Sequence, residues 1–381
     1  MKWILAMCAT VLFSACARPW RDGARAGDSS RWGADPNPLA GVVPLAGGHC
    51  ESSAMMNALI ALGYPVTEPM IAGGGGALAF RLERGTFPFI GARNERMREV
   101  FYEGAGIAWE RRLPGDGDAR LAGDWGWAEI RSLLARGVPV VLRTDMRFLP
   151  YRYGGKYGPR HLSFGWHMIT LFAIDDRREV AFVSDTEFAG LREIRLKDLH
   201  RARTSRTKVF PPRGEYSWAE RAAAGYRLDW DRLVEASLSE VGSNSAGSLD
   251  ALSRFGDDLA ELETYGPKPF LVPAVLEYLA GTIEDYGTGG AAFRRLYRDF
   301  LAEAATRSSY RSLANALDPL DAAIADWHAL SARLRAFAAS YKALSADGRR
   351  SEYAALRDIA LRLYGNEREF YTILNAARRK E

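Results

Sequence analysis

The sequence predicts two unlike halves, an α+β domain with a largely antiparallel sheet followed by an all-α bundle. At 381 residues the chain is about twice a comfortable single-core domain. Between residues 41 and 213, helix-type apolar spacing comes first and strand-type runs come later, the order expected of helices segregated beside an antiparallel sheet. From residue 214 to the end, period-two alternation is almost absent and apolar residues step by three or four.

The first helix is expected near Cys50. It runs through Ser53, Ala54, Asn57, Ala58 and Ile60 to Gly63, a C-cap residue type, with Pro65 just beyond. After the run Gly73 to Gly76, helical spacing returns at 93–103 and 125–136. Val138-Pro139-Val140-Val141-Leu142 reads as a buried strand. Trp166 to Ile174 and Glu179 to Ser184 read as two apolar strands around the turn 175–178, with a third at Leu191 to Leu196. In the second half, Leu313, Leu317, Leu320, Ile324, Trp327, Leu330, Leu334 and Phe337 form one apolar stripe, which Pro319 is expected to break or kink. Residues 268–284, 290–306, 349–364 and 366–379 have similar character, and their stripes are bundle core rather than a ligand site.

Composition narrows the function. With 48% hydrophobic and 26% charged residues the chain can bury a core. A formal net charge of +4 without a clustered basic face makes no case for nucleic acid. Three cysteines, Cys8, Cys16 and Cys50, are too few and too unevenly placed for a disulfide framework or a Cys-rich zinc site, and no metal or cofactor is called for.

Residues 1–15 read as a lipoprotein-type signal peptide. Met1-Lys2 is a minimal basic start, Trp3 to Phe13 is apolar but too short to span a bilayer, and Ser14-Ala15 supplies small residues before Cys16. Leu12-Phe13-Ser14-Ala15-Cys16 resembles a bacterial lipobox, with Phe13 where Leu is usual. On this reading Cys16 carries lipid, Cys8 is discarded, and the protein is anchored in the bacterial cell envelope. Cleavage at the A-x-A pattern Ala15-Cys16-Ala17, giving a secreted protein, and a buried N-terminal helix are the other readings. Residues 16–40, polar and rich in Gly and Pro, read as a flexible tether.

The chemistry gathers around Cys50. It follows Gly47-Gly48-His49 and precedes small, helix-compatible residues, so its thiol stands in the first turn of a helix, where the positive dipole end favours the thiolate. A nucleophilic Cys needs a base and a group that orients the base. His167 opens an apolar strand beside Trp166, and the next strand ends at Val183-Ser184-Asp185, at the same end of the hairpin. Cys, His and Asp in that order, on an early helix and a later sheet, is the papain-type arrangement. A two- or four-residue turn centred on 176 and 177 sets Asp185 opposite Met168, on the wrong face for His167. An odd-length loop or a bulge is therefore expected, pairing Asp185 with His167; Ser184 or Thr186 takes its place if the even register holds. His49 and His161 are competing bases, while His200 and His328 read as surface or packing residues.

These residues resemble the butirosin biosynthesis protein H N-terminal domain family, papain-like acyltransferases related in fold to cysteine peptidases. The resemblance runs from Gly48 to about Thr204. It is carried by His49-Cys50-Glu51-Ser52-Ser53-Ala54-Met55-Met56-Asn57-Ala58-Leu59, Gly76-Ala77-Leu78-Ala79-Phe80, Gly137-Val138-Pro139-Val140-Val141, Asp145, Leu149-Pro150-Tyr151, and His167 with Asp185. The helical remainder, taken as 214–381 after a 41–213 catalytic domain, is similar to the uncharacterised domain that commonly follows it. The resemblance implies Cys50 as nucleophile, His167 as base and Asp185 as orienter.

Further candidates surround this set. Papain-like enzymes place a Gln before the Cys as an oxyanion donor, and this chain contains no Gln, so the Cys50 backbone N–H and a side chain such as Asn57 or His49 would have to serve; Asn57, two helical turns on, either points toward the site or caps a buried network. Asp145 is a candidate for binding a substrate cation or a strand-end ion pair, and Tyr151 begins an aromatic, basic loop to Arg160 suited to rim a pocket. The resemblance implies acyl transfer from a carrier-protein thioester to an amine. An exported protein would instead take a small-molecule or peptide acyl donor, by transfer or hydrolysis. The alternative from another class is a non-catalytic, lipid-anchored binding protein that keeps the fold.

Overall fold

A computed structural model describes residues 41–85, 88–114, 123–153, 163–208, 210–266 and 268–379. The expected signal peptide and tether with Cys8 and Cys16, His161, and most of the 151–160 loop lie outside the described residues. The chain runs α1 (Cys50–Ala61), α2 (Glu68–Gly74), β1 (Leu78–Glu83), β2 (Phe89–Arg93), α3 (Met97–Ala105), β3 (Trp109–Arg112), α4 (Trp127–Ala135), β4 (Val140–Thr144), α5 (Pro150–Tyr153), β5 (His167–Asp175), β6 (Val180–Ser184), β7 (Arg192–Arg195), α6 (Leu196–Thr204) and β8 (Tyr216–Ala219). It continues through α7 (Trp230–Ala260), α8 (Leu262–Tyr265), α9 (Val272–Glu284), α10 (Arg294–Arg307), α11 (Leu317–Ser340) and α12 (Ala346–Arg379). The architecture is mixed helix and sheet, and its N-terminal region is papain-like. Two compact units divide it, one holding 41–67 and 107–227, the other 68–106 and 228–379.

The first unit is built on a six-stranded antiparallel sheet in the order β3-β8-β4-β5-β6-β7. Alternation along the strands sorts its two faces. Val140, Leu142, Ile169, Leu171, Ala181 and Val183 face α4 and α6, whose Ile130, Leu133, Leu199 and Ala202 are buried with them. Val141 and Met168 face the other way and receive Ala54 and Ala58 of α1. Thr170 Oγ1 donates to the Ala54 carbonyl at 2.7 Å, fixing α1 along β5. The sheet unit runs past the expected boundary at residue 213, because β8 pairs with both β3 and β4. Four residues, Tyr-Ser-Trp-Ala, are too few for alternation to register.

The second unit takes in a stretch assigned from sequence to the sheet domain. Residues 89–93 are strand rather than the start of the expected 93–103 helix, which spans 97–105. The β1–β2 hairpin is joined to α7 by Phe80 N–H donating to Ser248 Oγ at 3.0 Å. The glycine run explains the close packing here: a Cβ at Gly73 would lie 2.2 Å from Phe300 Cβ, and Ser237 Oγ donates to the Gly73 carbonyl at 2.6 Å. Segments 349–364 and 366–379 are one helix, α12. Pro319 is the third residue of α11, where its missing N–H has no helical acceptor to lose, so it starts the helix rather than kinking it. Among the described residues no helix is long and apolar enough to cross a membrane.

Candidate active site

Cys50 is the first residue of α1 because His49 caps the helix. His49 has extended backbone (φ −135°, ψ 136°), and its Nδ1 lies 3.3 Å from the Ser52 amide and 3.0 Å from Ser52 Oγ. The segment leading in is pinned by Asn57, whose Oδ1 accepts from Leu45 N at 2.8 Å and whose Nδ2 donates to the carbonyls of Leu45 and Ser53. Gly47 N–H donates to the Thr186 carbonyl at 2.7 Å, and Gly190 N–H to the Pro44 carbonyl at 2.9 Å. These bonds bring the Cys50 segment to the chain just beyond β6. The thiol Sγ stands 3.9 Å from the Trp166 carbonyl, at the start of β5.

His167 and Asp185 meet because the β5–β6 hairpin contains a bulge. Asp175 pairs with Val180 and Ala173 with Phe182, but Leu171 pairs with Val183 and Thr170 with Ser184, so Phe172 is the extra residue. Without it Asp185 would be level with Thr170; with it Asp185 is level with Ile169, on the face of His167. The expected bulge is present. It lies within the strand, and the pairing is two residues from the expected one. His167 Nε2 donates to Asp185 Oδ1 at 2.9 Å, which leaves Nδ1 for the thiol, whose charged form the His167 side chain favours.

Asp185 is held by more than the imidazole. Oδ1 also accepts from Arg152 Nη1 and Thr186 N, both at 2.7 Å, and Oδ2 accepts from Tyr151 OH at 3.0 Å. Arg152 Nη1 lies 3.4 Å from His167 Nε2, and Arg152 Nη2 donates to Glu187 Oε1 at 2.8 Å. Arg152 joins Tyr151 here without a sequence signal of its own beyond Leu149-Pro150-Tyr151, which marks the one-turn helix α5 that presents both side chains.

Each titratable group is displaced by its neighbours. Burial pushes the Cys50 thiol up, but the imidazoles of His49 and His167 outweigh it and bring the thiol well below its ordinary value. Burial and then Arg152 oppose charge on His167, yet Asp185 raises its pKa to about 9. Burial opposes the Asp185 carboxylate, and His167 and Arg152 hold it well below the usual carboxylate range. Each displacement favours the charged form of its group: thiolate, imidazolium and carboxylate.

Cys50, His49, His167, Asp185 and Tyr151 are brought together; Asn57 and Asp145 are used elsewhere. The Asp145 carboxylate is fully buried, capping Arg147 N and accepting from Ser163 and Ser205 hydroxyls at 2.7 and 2.6 Å, so it is a structural anchor between β4 and α6. Asn57 gives its amide to Leu45 and Ser53. His200 accepts from Trp127 Nε1, and His328 pairs with Glu284. Trp166 beside the thiol is stacked under the Arg143 guanidinium at 4.5 Å, and buried Glu215 binds Arg143 and Arg111. Among the described residues no group of three or more His, Cys, Asp or Glu is placed to hold a metal ion.

Residues 49–186 match the family model described as butirosin biosynthesis protein H, N-terminal, whose role relates to acyl transfer. Residues 197–374 match a domain of unknown function, DUF4872. No curated protein matches the chain.

Proposed function

We propose that this chain, whose residues 49–186 match the butirosin biosynthesis protein H N-terminal family, is a cysteine acyl-transferring enzyme working through an acyl-Cys50 intermediate. The observation that carries this reading is the imidazole of His167, bonded through Nε2 to Asp185 at 2.9 Å, at the start of β5 where the Cys50 thiol stands 3.9 Å from the Trp166 carbonyl. The thiol proton passes to His167 Nδ1. The thiolate attacks the donor carbonyl, forming the Sγ–C bond and an oxyanion, and the imidazolium returns the proton to the leaving group as the C–X bond breaks. An amine or water then gives its proton to His167, attacks the thioester and releases the Cys50 thiolate. Asp185 fixes the ring orientation and stabilises the imidazolium throughout.

Intact-mass measurement with a para-nitrophenyl ester tests this. One acyl adduct is expected, absent in Cys50→Ala; an adduct count unchanged by that substitution overturns it. Selective iodoacetamide labelling of Cys50 at pH 6 is also expected, whereas an ordinary thiol pKa would favour a binding protein that keeps the fold.

The N-terminal pattern supports an envelope location, with Cys16 lipid-modified and the acyl donor a small molecule or peptide rather than a cytoplasmic carrier protein. Incorporation of labelled fatty acid into the full chain, lost in Cys16→Ser, checks this; a soluble, unlabelled product sinks it.

A further inference from the structure

We propose that Phe210, with Phe164 and Trp166, forms the subsite for the acyl group of the donor, and that this group is an apolar chain. The assignment rests on the acyl-transfer reading above and names its substrate class. Trp166 is the link to the nucleophile. Its carbonyl stands 3.9 Å from Cys50 Sγ, and its side chain packs with Cys50 against Ala54, Ala58, Val141 and Met168. Phe210 meets the Trp166 ring edge-on at 5.3 Å and 60°, and meets Phe164 edge-on at 5.8 Å and 75°. An acyl chain joined to Sγ thus begins at the backbone of Trp166 with an aromatic surface beside it. That surface is hydrocarbon: the Arg143 guanidinium over the Trp166 ring is neutralised by Glu215 at 3.1 Å.

Phe210 is held in this place at a cost. Its side chain is 40% exposed, and its φ of +52° is one that a bulky L residue rarely adopts. Neither feature helps the fold, since apolar surface left in water gains nothing from burial and the left-handed backbone costs free energy. The surrounding chain is nevertheless shaped to keep the ring there. A Cβ at Gly165 would lie 2.2 Å from the Phe210 carbonyl oxygen, so only glycine lets the Phe210 backbone cross between Phe164 and Trp166. The buried Asp145 carboxylate ties the two segments together, its Oδ2 accepting from Ser163 Oγ at 2.7 Å and from Ser205 Oγ at 2.6 Å. Asp145 is thereby a positioning residue for the aromatic surface.

Para-nitrophenyl hexanoate and acetate, which differ by four methylenes, test the subsite. Hexanoate should acylate Cys50 at least about 10-fold faster, since each buried methylene is worth roughly four-fold. Phe210→Gly removes the ring and suits the left-handed backbone, so its unfolding midpoint should stay close to that of the unaltered chain while the hexanoate-to-acetate ratio falls towards one. Phe270→Ser, which removes a 69% exposed side chain from the helical unit, should keep the ratio. Equal rates for the two esters in the unaltered chain, or a ratio retained in Phe210→Gly or lost in Phe270→Ser, overturn the assignment. So does iodoacetamide alkylation that slows in Phe210→Gly as much as hexanoate acylation does, because the ring would then be supporting the thiol. If Phe210→Gly fails to fold, protection of Cys50 from iodoacetamide in the unaltered chain decides: hexanamide should protect at about one-tenth the concentration of acetamide, and equal protection overturns the subsite. An unaltered chain that alkylates at Cys50 but is acylated by neither ester overturns the acyl-transfer reading, and the subsite with it.

Discussion

Asp185 is level with Ile169, two residues out of register with His167, and still accepts from His167 Nε2 at 2.9 Å. The single unpaired Phe172 makes this possible by returning both side chains to one face of the sheet. Removing one residue at this bulge is expected to turn Asp185 to the opposite face, abolishing selective Cys50 labelling at pH 6 while the chain stays folded by circular dichroism.

The pH dependence of acyl transfer should be bell-shaped. The acid limb follows the depressed thiol, well below its ordinary value, and the alkaline limb follows loss of the His167 proton near pH 9. Asp185 favours the imidazolium, so Asp185→Asn should move the alkaline limb to lower pH and cut the rate by roughly 10²–10⁴-fold. An alkaline limb unmoved by the substitution would contradict the His167–Asp185 coupling.

Arg152 acts through Asp185 and is a positioning residue. Its cation, 3.4 Å from His167 Nε2, opposes the imidazolium, so Arg152→Gln should move the alkaline limb upward. Tyr151 and the Thr186 amide still hold Asp185, so the rate should fall by only about 10-fold. A pH–rate series on purified variants gives both numbers; a merely structural arginine would lower the rate without moving the limb.

Asn57→Ala should destabilise without touching the chemistry. It leaves the Leu45 backbone N–H and C=O without their partner, at a cost of about 1–3 kcal/mol. Urea unfolding should show the loss, while the pH dependence of Cys50 alkylation keeps its midpoint.

In the helical unit, Arg294 and Glu367 are both fully buried and bonded at 2.7 Å, with Trp327 Nε1 donating to the same carboxylate at 2.9 Å. Glu367→Leu strands a buried cation and should cost about 3–5 kcal/mol in urea unfolding; Arg294→Met in the same chain should restore much of it.

Local pattern was enough for the fold class, the helix that opens at Cys50, the β5–β6 hairpin and the choice of Cys50, His167 and Asp185, because periodicity, caps and turn parity depend on near neighbours in the chain. It even required a bulge, though not its place, since any extra residue in the hairpin restores the same parity. The packing of 68–106 with the helices and of β8 within the sheet was not legible, because short elements take their partners from residues far away in the chain, as Val141 pairs with Ser217 and Trp109 with Ala219. Nor were the parts of Arg152, Asn57, Asp145 and His49. The four side chains carry donors or acceptors that sequence can count, but only the folded backbone brings Asp185, Leu45, Ser205 or Ser52 within about 3 Å and so decides which bond each one makes.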